Sequence, residues 1–114
     1  MLDHYSKMIN FSIEIESLSE FNSPIKFNSY LSGDEIKNKN KISLLGKIAL
    51  KKAFFKALGI RKEYKKIEVK KTDFGRPYIL INDKKIKEKL KNRKICASIS
   101  HTKDIVVAIC LIYD

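Results

Sequence analysis

The stretch that decides the fold is S-L-L-G-K-I-A-L-K-K-A-F-F-K-A-L-G, from Ser43 to Gly59. At about 100° per residue, its apolar side chains cover two flanks of a helix rather than one stripe. One flank carries Leu44, Ile48, Phe55 and Leu58, and the other carries Leu50, Phe54 and Ala57. A helix of this kind is normally packed between other elements. We therefore predict a buried helix that ends at Gly59, since glycine commonly forms the left-handed C-terminal stop.

Four lysines interrupt this helix in two pairs with i,i+4 spacing, Lys47 with Lys51 and Lys52 with Lys56. An ammonium group on a mostly buried helix needs an anion beside it, because burying an unpaired charge is costly. That anion is either a carboxylate of the protein or a phosphate of a ligand, and pairing within the protein is the commoner case. Which of the two applies here bears directly on function.

The remaining pattern indicates short strands and helices around the long helix. We predict strands at 10–16, 66–71, 77–81, 94–100 and 105–112, short helices from Ser32 and over 83–93, and loops at 22–24 and 37–41. The strand at 105–112 is apolar on both faces, which predicts a central place in its sheet. The fold class predicted for residues 1–114 is a single α+β domain, with one long buried helix against a mostly antiparallel sheet.

The first strand alternates strictly between apolar and polar residues. Phe11, Ile13 and Ile15 share one face, and Ser12, Glu14 and Glu16 share the other. This is the pattern of a half-buried strand, with the apolar face expected against the core and the carboxylates in water. The two glutamates lie about 7 Å apart along the strand. Such a pair can hold Mg²⁺, although a solvated face is the more common outcome.

Composition limits the classes of protein to consider. The chain has 114 residues, a formal charge of +11 and 44% hydrophobic residues, which together indicate one folded domain with an acidic partner or ligand. It has no apolar run of about 20 residues and no secretory pattern at its start, so we expect a cytoplasmic protein without a membrane span. Cys96 and Cys110 lie in apolar strands and are predicted to be reduced core residues.

A polar cluster lies at the end of the fourth predicted strand and in the turn after it: Ser98, Ser100, His101, Thr102 and Lys103. Hydroxyl groups and turn amides at such a place can bind phosphate oxygens. Taken alone, the same residues are more often a capped hairpin turn. The cluster becomes informative only together with the helix lysines and the two glutamates.

In order along the chain, these segments resemble the holo-acyl-carrier-protein synthase type of the 4'-phosphopantetheinyl transferase superfamily. The similar segments are F-S-I-E-I-E-S-L (11–18), F-N-S-Y-L-S-G-D-E-I (27–36), the helix L-L-G-K-I-A-L-K-K-A-F-F-K-A-L-G (44–59), I-E-V followed by G-R-P-Y-I (67–79), and S-I-S-H-T-K-D-I-V-V-A (98–108). The helix and S-I-S-H-T are the most specific of these, and the resemblance runs over nearly the whole chain.

The resemblance implies a function. Coenzyme A would bind with its diphosphate on Mg²⁺, and its phosphopantetheine arm would pass to a serine of an acidic acyl carrier protein, with release of 3',5'-ADP. By position, Lys56 and Lys51 would hold phosphates. The same argument places Ser100, His101 and Thr102 alongside them, and Arg76 and Pro77 near the nucleotide. Short members of the family are trimers whose sites are shared between subunits, so the resemblance implies self-association.

One departure falls at the centre of the implied site. Lys52 stands where the helix motif has its metal-binding glutamate, which leaves Glu14 and Glu16 as the implied metal ligands. At about 4 Å and an effective dielectric constant near 20, repulsion between Lys52 and Mg²⁺ would be roughly 8 kcal/mol. The usual metal site therefore cannot form intact.

Three functional hypotheses follow from this substitution. In the first, the chain is still a transferase, with Glu14, Lys52 and Lys56 as catalytic residues and Lys52 either turned away or supplying positive charge itself. In the second, it is a non-catalytic relative in which Lys52 pairs with Glu14 or Glu16 and closes the site. In the third, it is a basic module for nucleic acid, which would show aromatic residues interleaved with lysines. The five tyrosines are scattered instead, so nucleic acid is not expected as a partner.

Overall fold

The computed structural model describes residues 8–21, 23–37 and 40–114. Its strands and helices, in chain order, are β1 (Ile9–Ser17), α1 (Pro24–Asn28), α2 (Gly33–Ile36), α3 (Lys41–Leu58), β2 (Ile67–Lys71), β3 (Pro77–Ile81), α4 (Lys84–Leu90), β4 (Lys94–His101) and β5 (Ile105–Tyr113). Short 3₁₀ turns follow β1 and precede β2. The predicted α+β class is confirmed.

Two antiparallel sheets are present in the described part of the chain. The larger has the strand order β1-β5-β4, and β2 pairs with β3 in the smaller one. The central position predicted for 105–112 is therefore confirmed. The register places Glu14 opposite Ala108 and Glu16 opposite Val106, so these two glutamates share the sheet face that packs on α3.

Helix α3 is the buried element that the sequence predicts. Most of its residues are excluded from solvent, and it contacts β1, β2, β4 and β5. The helix begins at Lys41 rather than Ser43, because the Asn40 side chain accepts hydrogen bonds from the backbone N–H groups of Ile42 and Ser43. It ends where Gly59 takes a φ of 73°, the left-handed conformation that suits glycine.

A buried ion pair joins α3 to the elements around it. The Lys51 ammonium lies 2.6 Å from the Glu35 carboxylate, with the two side chains 0% and 3% exposed. Lys51 also donates to the Tyr30 carbonyl at 2.8 Å. The Glu35 carboxylate accepts from the backbone N–H groups of Val69 and Ser32, the latter as part of the α2 capping box. Burial lowers the pKa of Lys51, and Glu35 opposes that shift.

Strand β1 presents its faces the opposite way from the prediction. Phe11, Ile13 and Ile15 point away from the helix and are 65%, 50% and 64% exposed, whereas Glu14 and Glu16 turn toward α3. Alternation separates two faces of a strand but does not say which one meets the core. Here the inner face is the one whose carboxylates meet the lysines of α3.

Smaller predictions are corrected as well. Cys96 is exposed on the outer sheet face, so only Cys110 is a core thiol. A short helix, α1, begins at Pro24, where the sequence predicts a loop. Asn22, Asn38 and Lys39 of the predicted loops lie outside the described residues. Among those described, no helix combines the length and the apolarity needed to cross a membrane.

The buried Lys51–Glu35 pair should contribute far more to stability than the exposed Lys37–Asp34 pair, although Glu35 and Asp34 both lie on the short helix α2. Lys51→Met should lower the free energy of unfolding by about 3–5 kcal/mol, because it leaves the Glu35 carboxylate buried without its cation. Lys37→Met, which removes a solvent-exposed partner of Asp34, should cost less than about 1 kcal/mol. Urea unfolding of the two variants measures both values. Equal losses would contradict a structural role for Lys51.

Candidate functional site

Two separate depressions contain several of the residues that the sequence nominates. The first, which we call the lysine cleft, lies beside the C-terminal half of α3 and has a volume of about 240 Å³. It is lined by Glu14, Tyr30, Lys52, Lys56, Lys62 and Tyr64. The second, which we call the hairpin groove, lies between the N-terminal half of α3, the β2–β3 turn and the end of β4.

In the lysine cleft, each carboxylate of β1 has an ammonium partner from α3. Lys52 forms an ion pair with Glu16, and Lys56 lies 2.5 Å from Glu14. Because residues 52 and 56 are one helical turn apart and residues 14 and 16 are neighbours on one strand face, the two pairs lie side by side. The four side chains together carry no net charge.

The two lysines differ in how firmly they are held. Lys52 is 23% exposed, and its ammonium lies 5.1 Å from the Tyr30 ring centroid and 5.7 Å from that of Phe21. Burial works against the charged form, yet the hydrogen bond and charge of Glu16 outweigh it and raise the pKa of Lys52. Lys56 is 57% exposed, so water screens its pair with Glu14.

These residues do not suit the Mg²⁺ that the family resemblance implies. Mg²⁺ favours carboxylate oxygens and water, but here both carboxylates are already neutralised by ammonium groups. Among the described residues, no group of three or more histidine, cysteine or acidic side chains is arranged to hold a metal ion. The described side chains of the cleft, arranged as two Lys–Glu pairs, therefore do not fit a metal ion.

The hairpin groove has a volume of about 300 Å³ and contains a different set of nominated residues. Its lining includes Lys47, Lys71, Gly75, Pro77 and His101. It adjoins an open hollow of about 480 Å³ that Arg76, Pro77 and Ser98 help to line. Helix α3 and strand β4 approach each other closely at this groove. A Cβ added at Gly46 would lie only 3.1 Å from the Ile99 side chain.

The residues of the S-I-S-H-T segment (98–102) lie in the groove, in the hairpin turn and on the outer face of the sheet, and not in one site. His101 faces the groove, and its Nδ1 lies 2.8 Å from the Thr102 carbonyl oxygen. The Thr102 hydroxyl accepts from the backbone N–H groups of Asp104 and Ile105, as in the capped hairpin turn that the sequence also allows. Ser100 is exposed and lies opposite Val107, on the outer face of the sheet.

Lys47 is a groove residue that the sequence argument did not place in the site. Its ammonium lies 3.4 Å from the Glu35 carbonyl oxygen, and no carboxylate of the described residues forms an ion pair with it. Burial lowers the pKa of Lys47; Glu35 opposes that effect, while Lys71 adds to it. Its i,i+4 spacing from Lys51 was the available signal, but only the fold distinguishes the buried lysine from the one in the groove.

A single chain does not bring the two depressions together. Lys47 and Lys56 are nine residues apart on α3, which corresponds to about 14 Å along the helix axis. Glu14, Glu16, Lys52 and Lys56 therefore form one group, whereas Arg76, Pro77 and His101 form another. Lys51 belongs to neither, because it is fully buried against Glu35, and the structure does not support its predicted contact with a phosphate.

Solved structures with this fold include holo-acyl-carrier-protein synthases. The Helicobacter pylori enzyme in complex with coenzyme A matches with a TM-score of 0.73 and 29% identity, over 90% of this chain and 98% of that one. The Chronobacterium ammoniagenes coenzyme A complex matches with a TM-score of 0.77 and 22% identity, over 92% and 96%. The chain therefore has the fold of the holo-acyl-carrier-protein synthases.

A third synthase extends the comparison. The Bacillus anthracis protein, in complex with CoA (3',5'-ADP), matches with a TM-score of 0.74 and 24% identity, over 96% of this chain and 99% of that one. The sequence matches no family model and no curated protein. The chain thus shares the synthase fold along most of its length, at a sequence identity of only 22–29%.

The raised pKa of Lys52 predicts an alkaline loss of stability. The contribution of its pair with Glu16 should be complete below the unfolded pKa of 10.5 and should be lost as pH rises through the higher folded pKa. At pH 8, Lys52→Gln should therefore cost about 2 kcal/mol of unfolding free energy, because Glu16 is left without its charged partner. Above pH 10.5 the difference between the two proteins should shrink.

Denaturant unfolding of both proteins between pH 8 and 11.5 measures this difference. Other titrating groups are common to both proteins and largely cancel. Lys89→Gln, an exposed lysine on α4, is the matched control and should show almost no difference at any pH. A difference that stays constant to pH 11.5 would refute the assigned direction.

Proposed function

We propose that the chain binds coenzyme A and transfers its 4'-phosphopantetheine arm to a serine of an acidic acyl carrier protein, releasing 3',5'-ADP. The observation that carries this proposal is the hairpin groove: it places Lys47, Pro77 and His101 together in a fold whose solved neighbours include coenzyme A complexes. The net charge of +11 suits both an anionic ligand and an acidic protein.

The groove is the proposed nucleotide site. Lys47 and Lys71 supply cations there, and His101 lines the same space. Arg76 and Pro77 lie at the adjoining hollow, next to the place where the base would rest. Ser100 and Thr102 remain proposed contacts at the end of β4, whereas Lys51 is left out because it is buried.

The lysine cleft is the proposed site of transfer. The serine hydroxyl oxygen would attack the β-phosphorus, and the bond from that phosphorus to the bridging oxygen would break, leaving its electron pair on 3',5'-ADP. Glu14, which lines the cleft, would accept the serine proton, and Lys52 and Lys56 would offset the charge of the phosphates. Positioning and charge neutralisation supply most of the catalysis in phosphoryl transfer.

A complete site in this proposal needs a second copy of the chain, in keeping with a trimer. The two depressions lie toward opposite ends of α3, so within one copy a coenzyme A bound in the groove would have to extend along the helix to reach the cleft. The outer face of the large sheet is apolar and exposed along β1, at Ile9, Phe11, Ile13 and Ile15. An uncharged apolar face suits a second copy better than an acidic partner, and copies joined there could pair a cleft with a neighbouring groove.

A non-catalytic relative is the second candidate, and a specific observation favours it. Lys52 pairs with Glu16, which is the contact expected if the cleft had closed and lost its activity. Such a protein would keep the hairpin groove and could still bind coenzyme A. The two candidate functions therefore predict different transferase activity but the same binding of coenzyme A.

Mass spectrometry of a carrier protein separates them. The purified chain, incubated with coenzyme A and apo carrier protein, should add the mass of the phosphopantetheine arm, and Lys56→Ala should slow this transfer about 100-fold because a cation at the diphosphate is lost. Lys89→Ala is the matched control and should transfer at the native rate. No transfer by the native chain, together with a gain of transfer in Lys52→Glu, would favour the non-catalytic candidate.

Sedimentation tests the proposed assembly. The native chain should sediment as a trimer at micromolar concentration, and Phe11→Ser should shift it to the monomer, because it removes a large apolar side chain from the outer sheet face. Phe74→Ser is the matched control, since Phe74 is 99% exposed on the β2–β3 turn. A native monomer, or equal effects of the two substitutions, would contradict the assembly.

A further inference from the structure

We infer that the Lys52 ammonium takes the place of a divalent cation in the lysine cleft, so that the cleft binds no metal ion and the chain binds coenzyme A independently of Mg²⁺. The first part rests on the cleft alone. The second part rests also on the proposed function, because it concerns the nucleotide.

The position of Lys52 is fixed from several sides. Its ammonium pairs with the Glu16 carboxylate and lies over the ring faces of Tyr30 and Phe21. A lysine free to swing into water would leave the carboxylates open to a metal ion. This one has both an anionic partner and two aromatic contacts that favour its present place.

The charges of the cleft are already matched without a metal. Glu14 and Glu16 contribute two negative charges, and Lys52 and Lys56 contribute two positive ones. Lys62 lines the same cleft and leaves it with one net positive charge. A divalent cation would have to displace ammonium groups from both carboxylates and then remain close to them. An arriving diphosphate, by contrast, meets positive charges that are already in place.

Lys52 and Lys56 differ in solvent exposure, and we expect them to behave differently when a phosphate binds. Lys56 is more than half exposed, so it can leave Glu14 and follow a phosphate at low cost. Lys52 is largely covered and holds Glu16 in place. The cleft therefore combines one fixed cation with one mobile cation.

Manganese binding tests the metal claim without any nucleotide. Free Mn²⁺ can be followed by electron paramagnetic resonance as it is titrated with the native chain, Lys52→Glu and Lys89→Glu. The native chain and the Lys89 control, which has the same change of charge on α4, should show no site. Lys52→Glu should gain one site, with a dissociation constant at least about tenfold below the highest Mn²⁺ concentration at which the native chain shows no binding. Lys52→Gln serves the same comparison if the glutamate variant does not fold.

The inference is overturned if the native chain binds one Mn²⁺ as tightly as Lys52→Glu and Glu14→Gln abolishes that binding. Calorimetry with coenzyme A, which carries the diphosphate, tests the second part: native affinity in EDTA and in Mg²⁺ should agree within about twofold. A gain of about tenfold on adding Mg²⁺ would overturn it. Failure of the nucleotide to bind in either buffer would reject the proposed function, while the manganese titration still decides the metal claim.

Discussion

The arrangement of this protein depends on matching the charges of a buried helix. Helix α3 packs against both sheets, yet it carries lysines on the sides that face other elements. A charge excluded from water needs a partner, so the surrounding elements have to supply carboxylates where the lysines point. Glu35 meets Lys51, Glu16 meets Lys52 and Glu14 meets Lys56. These pairs connect α2 and β1 to α3.

The same requirement explains the orientation of β1. With Glu14 and Glu16 turned toward α3, the period of two in a strand sends Phe11, Ile13 and Ile15 outward. Charge matching in the interior thus exposes an apolar face, which has to be covered or remain a liability for association. The internal ion pairs and the expected self-association therefore follow from one choice of strand face.

The sequence predicts the elements well and the faces poorly. The long helix, its glycine stop and the central place of 105–112 follow from periodicity and turn chemistry, because these are local signals. The faces of β1 do not, since they depend on what α3 presents to them. The same holds for the lysines: spacing identifies Lys47, Lys51, Lys52 and Lys56, but only the packing separates buried, paired and groove residues. Cys96 was misplaced for the same reason, as its strand has one outward face.

A cation fixed by the chain has consequences that a bound ion does not. A metal ion is exchangeable and can leave with the product, whereas an ammonium on α3 stays in the cleft through every step. Its charge is single, so it stabilises a diphosphate less strongly than a divalent ion at equal distance. Lys56 and Lys62 border the same cleft and can make up part of that difference. Whether the chain has transferase activity thus depends on whether these lysines reach the phosphates together. Electrostatic stabilisation requires charges that are already directed at the reacting group.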